Sequence, residues 1–459
     1  MKFLHTADWH LGNSMFEIDR TAEFENFLCW LKEKIISEKI DVLIIAGDIF
    51  DTINPPVISR KQYNSFLASL LQTECRNVII IGGNHDSGIL LDSQKDILEA
   101  LNIHVVGTVS NLKPEEMVFE LFGRNGEVIG LCAAVPFARE NELRNYIEEK
   151  DDVRKSSEVY QQEFEFEAPP NFSDEAYGAL YKKVFEKAEE IRNGRNIPII
   201  ATGHLFAADL EGRFANAETE VKCDDGRRNL DVVGNLGSVH AGIFPKGFDY
   251  VALGHIHYCT CVGKQPRIRY SGSPFVLGFD EANIPRYVLE GEIGASNKNS
   301  ANSSSADNTE NLVIKKIEVP SFVKFKRISG SCKDIRTELE KYKYAADEKV
   351  FVELYYRKEQ GINIHEELES IIADLPENIT IANCKAQDTK NIMAGNLGSL
   401  DATELKNLSA EEIFSSLIMA KNSFAVGDEN AKKKMLERYL PHFLKIAADV
   451  ENGVPDENK

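Results

Sequence analysis

An α/β architecture is what this sequence predicts, and three observations carry the prediction. Short apolar runs, Val42 to Ala46, Val78 to Ile81, Ile197 to Ala201 and Tyr250 to Leu253, read as buried strands, with Phe3-Leu4 a shorter counterpart. Ahead of Val42, the residues Phe24, Phe27, Leu28, Leu31 and Ile35 recur at the spacing of one buried helix face. Polar blocks follow the runs directly, and the carboxyl ends of strands are where α/β sheets collect their sites.

The bulk numbers set limits on this architecture. A chain of 459 residues exceeds one ordinary core, so two or three domains are expected, and 43% hydrophobic content suffices to build them. A formal net charge of -20 excludes a protein that coats nucleic acid by general electrostatics. Contact with nucleic acid must then be local, metal-assisted or shared with a partner. The 8 cysteines are scattered without a dense framework, which fits a reducing compartment. The start lacks a basic region followed by an apolar one, and no apolar run approaches the ~20 residues of a membrane span. A cytoplasmic protein with no membrane contact is the expectation.

Along the chain, residues 1–294 form the first expected domain. Within it, about 140–194 is rich in Glu, Lys and Asp and reads as a solvated helical insertion. Residues 295–311, dominated by Ser and Asn without apolar periodicity, read as a linker or exposed loop. Residues 312–389 read as a small α+β domain. Alternation from Leu312 gives a strand, Ile335, Leu339 and Tyr342 a helix, and Val350 to Tyr356 a second strand; a helix through Ile364, Leu368 and Ile371 and a strand from Asn378 to Lys385 complete it. Over 390–459, Ser409-Ala-Glu-Glu412 reads as a capping box opening a helix with Ile413, Phe414, Leu417 and Ile418. A further helical segment carries Met435, Leu436, Tyr439 and Leu440, with Pro441 forcing a break.

The chemistry lies in the polar blocks: Asp8-Trp9-His10, Gly47-Asp48-Ile49-Phe50-Asp51, Gly82-Gly83-Asn84-His85-Asp86, Gly203-His204 and Gly254-His255-Ile256-His257. Hydrolysis of a phosphodiester needs charge neutralisation, a nucleophile at neutral pH and help for the leaving oxygen; two cations about 3.5 to 4 Å apart supply the first two. A binuclear site needs a bridging ligand, and Asp48 is the natural carboxylate for it. Imidazole, carboxylate and one amide oxygen suit manganese, iron or zinc. Residues two apart, as in Asp8/His10 and His255/His257, can converge from a tight loop after a strand. His85 can face the substrate as a proton donor or charge stabiliser. Cys259 and Cys261 could extend the site, but small residues leaving a loop are more simply a strand. His5, His104, His240, His365 and His442 lie outside the blocks and read as ordinary histidines.

In this order the blocks resemble the calcineurin-like metallophosphoesterase superfamily, whose pattern is Asp-x-His, Gly-Asp, Gly-Asn-His-Asp/Glu, Gly-His and Gly-His-x-His. His5-Thr-Ala-Asp-Trp-His-Leu-Gly12, Gly47-Asp-Ile-Phe-Asp-Thr52, and Tyr270-Ser-Gly-Ser-Pro274 followed by Phe279-Asp-Glu281 resemble its bacterial DNA-repair nucleases in particular. The resemblance implies an α/β fold with a β-sandwich flanked by helices, a DNA-capping small domain, and C-terminal helices that bind a partner. It implies two divalent ions, usually manganese: one held by Asp8, His10, Asp48 and His257, the other by Asp48, Asn84, His204 and His255. His85 would be the catalytic histidine. At Asp51 some relatives carry a histidine proposed to help catalysis; the carboxylate here could instead orient a ligand imidazole.

The resemblance further implies a 3′-to-5′ duplex exonuclease that also nicks single strands and hairpins. It would act as a homodimer in a heterotetramer with a coiled-coil ABC ATPase, in DNA repair, recombination and replication. The chain has no Gly-x-x-x-x-Gly-Lys-Ser/Thr loop of its own. A phosphoprotein phosphatase or small-molecule phosphodiesterase is the alternative on the same scaffold. Gly82-Gly83, where such phosphatases commonly place an Arg, weighs against the first. A non-catalytic scaffold predicts eroded ligands, and every ligand position is filled.

Overall fold

The structure, a computed structural model, describes residues 1–147, 172–208, 239–263, 265–294, 311–342, 348–357 and 364–386. The chain opens with four strands, β1 (Lys2–Thr6), β2 (Val42–Ala46), β3 (Asn77–Ile81) and β4 (Ile103–Val106). They run parallel because helices carry the chain back between them: α1 (Thr21–Ser37), α2 (Val57–Leu70), and the short α3 (Gly88–Asp92) and α4 (Lys95–Glu99). A hairpin, β5 (Val118–Phe122) and β6 (Val128–Ala133), starts a second sheet. It continues through α5 (Glu140–Leu143), α6 (Phe172–Arg192) and β7 (Ile199–His204). Beyond a ribbon of β8 (Ala207–Ala208) and β9 (Val239–His240) come β10 (Tyr250–Gly254), β11 (Thr260–Cys261) and β12 (Ile268–Tyr270). The chain then returns to the first sheet with β13 (Tyr287–Ile293) and β14 (Leu312–Glu318), both antiparallel to their neighbours.

The result is a sandwich of two six-stranded sheets, ordered β14-β13-β1-β2-β3-β4 and β11-β12-β10-β7-β6-β5. Phe3, Ile44 and Ile79 of the first sheet share one core with Leu131, Ile200 and Val251 of the second. On the opposite face, Leu43, Ile45 and Ile80 pack against Phe27, Leu31 and Phe66 of α1 and α2. Every residue of β2 and β3 is buried. That is why these strands read as continuous apolar runs rather than alternating ones.

Two expectations change here. Of the stretch expected as a solvated insertion, α6 is solvated only on its outer side: Tyr177, Leu180, Tyr181, Val184 and Ala188 are buried in the sandwich core. Their three- and four-residue spacing makes one stripe, masked in composition by the charges between them. The Tyr181 hydroxyl donates to the Thr202 carbonyl of β7 at 2.9 Å, and that of Tyr177 to the Ala138 carbonyl at 3.0 Å. Residues 312–318, expected to open the small domain, instead pair along β13. Alternation identifies a half-exposed strand but does not say which sheet takes it. Because the Gly294 amide donates to the Asn311 carbonyl at 3.1 Å, the Ser/Asn-rich stretch connects adjacent antiparallel strands of one sheet.

The small domain is a three-stranded parallel sheet of β15 (Lys324–Gly330), β16 (Val350–Tyr356) and β17 (Ile379–Ala386), with α7 (Cys332–Glu340) and α8 (Ile364–Ala373) as its crossovers. Ser331 caps α7 in a capping box with Asp334. Ile335 and Leu339 of α7 and Ile371 of α8 bury against Val352 and Leu354. A separate apolar cluster joins this domain to the sandwich: Phe325 and Phe351 from the small sheet meet Met15, Ile18 and Phe279. The helices expected over 390–459 lie outside the described residues.

Candidate metal centre

Each polar block emerges at the carboxyl end of a parallel strand, and the two sheets bring those ends together. Asp8 and His10 follow β1, Asp48 and Asp51 follow β2, Asn84 and His85 follow β3, His204 closes β7, and His255 and His257 follow β10. Backbone hydrogen bonds join the first two loops, Asp8 N to Gly47 O at 3.0 Å and His10 N to Asp48 O at 3.0 Å. Side chains tie in the others: His85 N donates to Asp48 Oδ1 at 2.8 Å, and His255 N to Asp8 Oδ1 at 2.8 Å across the sandwich. Asp8 (φ 54°), His10 (φ 45°), Asp48 (φ 49°) and His255 (φ 97°) occupy left-handed backbone, which non-glycine residues avoid unless their surroundings enforce it. Gly47 and Gly83 are needed for close approach. A Cβ on Gly47 would strike the His204 ring, and one on Gly83 would strike Asp48.

The side chains converge around Asp48 in overlapping donor groups; besides the two described next, Asp8, Asp48 and His204, and His10, Asp51 and His85, also present atoms within 4.8 Å of one another. In the first, Asp8, His10 and His257 present ligand atoms within 4.8 Å of one another; His10 Nε2 lies 3.6 Å from Asp48 Oδ2. In the second, Asn84 Oδ1 stands 3.0 Å from His204 Nε2 and 2.9 Å from His255 Nδ1, and His204 Nε2 is 3.3 Å from Asp48 Oδ2. His85 edges against the His10 ring with centroids 4.8 Å apart, and its Nδ1 lies 3.0 Å from the Asp51 carbonyl. All eight residues singled out in the sequence thus assemble at one place.

This donor set fits cations. His204 Nδ1 donates to the Ala46 carbonyl at 2.9 Å, which points its Nε2 at the Asn84 and Asp48 oxygens. Carboxylate, amide and imidazole atoms packed this closely call for a positive charge among them, which either a proton on His204 or a metal ion supplies. In the first group, Asp8 Oδ2 and His10 Nε2 are buried without a hydrogen-bond partner, atoms that a cation would satisfy, while His10 Nδ1 faces Asp51.

Protonation equilibria reflect the same crowding. Burial first, and Asp48 beside it, push the Asp8 carboxyl up to about 7 against the pull of His204. Burial opposes charge on Asp48 too, yet the His204, His10 and His85 imidazoles hold it well below the usual carboxylate range. His204 rises to about 9, because Asp48 and Asp8 outweigh the burial that disfavours its charge. His255 and His257 fall to about 4 and about 3, by burial and then by His204 and His10 respectively. His255 and His257 are thus held in the neutral, metal-binding form, whereas His204 would have to release its proton to a bound cation.

The model of the calcineurin-like phosphoesterase family matches residues 1–259. The chain belongs to that family. It is 28% identical over 416 residues to the SbcD subunit of the nuclease SbcCD from Escherichia coli K12, an alignment covering 90% of this chain and 92% of the relative. Identity to the Rhodobacter capsulatus protein of the same name is 31% over 286 residues, 61% of this chain and 64% of the relative. With the Bacillus subtilis one it is 27% over 289 residues, 63% and 65%. The chemistry of a phosphoesterase with these donors uses divalent metal.

Sequence reasoning gave no role to several residues that hold this phosphoesterase centre in shape. The buried Asp86 carboxylate accepts from the amides of Ile49 at 3.1 Å, Phe50 at 2.9 Å and Gly83 at 2.9 Å, binding two ligand loops together. Its place in the Gly-Asn-His-Asp block was the available signal. Asp51 Oδ1 is 3.2 Å from His10 Nδ1, at ion-pair distance though off the hydrogen-bonding line; the suggested orienting position is where it stands. Neither Cys259 nor Cys261 enters a ligand group among the described residues. Outside the centre, His5 Nδ1 is 2.9 Å from the Tyr250 hydroxyl, His104 stacks on Phe119, and His240 pairs with Asp174 at the surface.

Proposed function

We propose that this phosphoesterase is the nuclease subunit of a DNA end-processing complex, hydrolysing phosphodiester bonds at DNA ends and hairpins together with an SbcC-like coiled-coil ABC ATPase. The observation that carries the chemistry is the convergence of two partly buried sets of donors on Asp48. The proposed ligands are Asp8, His10, Asp48 and His257 for one ion and Asp48, Asn84, His204 and His255 for the other. Asp48 would bridge. Manganese is the proposed metal, since the donors are nitrogen and oxygen without thiolate.

When bound, the ions would neutralise phosphate oxygens and make a water nucleophilic at neutral pH. The protein's own residues do the rest. The Asp51 carbonyl accepts from His85 Nδ1 and fixes the ring, so that its imidazolium form would have Nε2–H free to hand a proton to the leaving oxygen. Asp86 and the stitched loops hold the ligands so that little reorganisation is needed when a phosphate arrives.

The deciding experiment measures nucleotide release from linear duplex DNA with manganese, beside turnover of a phosphopeptide and a cyclic nucleotide. Release from DNA alone is expected. Turnover of either other substrate without DNA cutting would replace this reading with the phosphatase or small-molecule phosphodiesterase alternative. Labelling one DNA end tests the 3′-to-5′ direction, and the mass of the complex in solution tests the homodimer within a heterotetramer.

A further inference from the structure

The two imidazoles of the Asp8–His10–His257 group share a feature that those of the other group lack: both are braced from the side where the small domain sits. Behind His10 stands Asp51, whose Oδ1 accepts from Asn13 Nδ2 at 3.1 Å. Asn13 Oδ1 in turn accepts from Arg20 Nη1 at 2.8 Å. Arg20 is buried, paired with Glu23 at 2.8 Å, and its guanidinium lies 5.3 Å from the ring centre of Phe325 in the small sheet.

Behind His257 stands Glu281, with Oε1 4.0 Å from His257 Nδ1. Arg286 reaches both, donating to Glu281 Oε2 at 2.8 Å and to the His257 carbonyl at 3.1 Å. Glu281 belongs to the same helical turn as Phe279, which packs on Phe325 with ring centroids 5.6 Å apart. Two independent routes therefore end on one side chain of the small domain. In the other group, His204 is braced by the Ala46 carbonyl inside the sandwich.

From this geometry we infer that Asn13, Arg20 and Asp51 are positioning residues through which the seating of the small domain sets the affinity of one ion, the one held by Asp8, His10 and His257, and not of the other. The inference rests on the ligand assignment proposed above. A metal-ligating imidazole almost always has a carboxylate, carbonyl or water behind its far nitrogen, and loss of such a group typically costs about 10- to 100-fold in metal affinity. Freeing Phe325 would loosen Arg20, then Asn13, then the acceptor behind His10.

The test uses the full chain stripped with a chelator and titrated with manganese alone, following binding by calorimetry and counting free ion by electron paramagnetic resonance. The parent should take up two ions in two steps. Asp51→Ala should weaken one step about 10- to 100-fold and leave the other unchanged; Asp51→Asn, which keeps the acceptor oxygen, should recover part of the loss. Asn13→Ala and Phe325→Ala should weaken the same step by smaller factors. Asn13→Ala combined with Asp51→Ala should bind no worse than Asp51→Ala, because both act along one path. Unchanged binding in Asp51→Ala and Asn13→Ala, equal weakening of both steps, or additive losses would each overturn the inference while leaving the function standing. A parent that binds no manganese would overturn both.

Discussion

His85 and His5 show how one residue type is put to opposite uses within a few ångströms of the same sheet edge. His85 is partly exposed and fixed through one ring nitrogen to the Asp51 carbonyl; it belongs to none of the proposed ligand sets. His85→Ala is therefore expected to lower DNA cutting by about 10²- to 10⁴-fold with manganese content unchanged, and metal loss measured on the purified variant would show that its role is misassigned. His5 is fully buried, and burial above all lowers its imidazole to about 3. The unfolded chain titrates near 6.5 and so binds the extra proton between the two values. The stability contributed by neutral His5 is complete above about pH 6.5 and is lost as pH falls toward about 3. His5→Gln should flatten the fall in unfolding free energy below about pH 6 by as much as about 1.4 kcal/mol per unit; denaturant titrations across that range giving the parent slope would exclude it. The ligand residues were legible because each sits in a short local block after an apolar run. Asn13 and Glu281 were not assigned roles, because they act through partners tens of residues away, such as Asp51 and His257, that no spacing rule connects.

At the scale of elements, strands buried on both faces were the clearest signal, and partly exposed ones the least. β2 and β3 announce themselves by unbroken apolar sequence, whereas β14 alternates and could have served either domain. Helix α6 was obscured by its own charges. Its polar residues dominate composition, yet Leu180 is fully buried against the second sheet, whose β7 ends in His204. Leu180→Ala should therefore cost about 2 to 5 kcal/mol by leaving a cavity. A loop-like response within about 0.5 kcal/mol, read from denaturant midpoints, would return α6 to the status of a solvated insertion. Loosening the helix should also reach the site, because Tyr181 holds the β7 backbone at Thr202, two residues before His204.

The whole molecule sets an electrostatic problem that the proposed partner would help to solve. With a net charge of -20, the chain as a whole repels a DNA phosphate backbone. Attraction by clustered Lys and Arg, which supplies most non-specific DNA affinity and its salt dependence, must come from elsewhere. We propose that an ATPase subunit docked on the apolar positions Ile413, Phe414, Leu417 and Ile418 supplies it; such terminal segments usually pack on their own domain, and docking is the better account if the stretch before them is a tether. Removing residues 401–459 is expected to leave basal manganese-dependent cutting by the isolated chain intact and to abolish co-purification with the ATPase. It should also abolish the gain in DNA affinity, and the steep salt dependence, that the partner confers. Filter binding across a salt series reads both quantities at once. Retained co-purification would place the contact elsewhere in residues 1–400, and a truncated chain that no longer cuts would make the segment part of the nuclease itself.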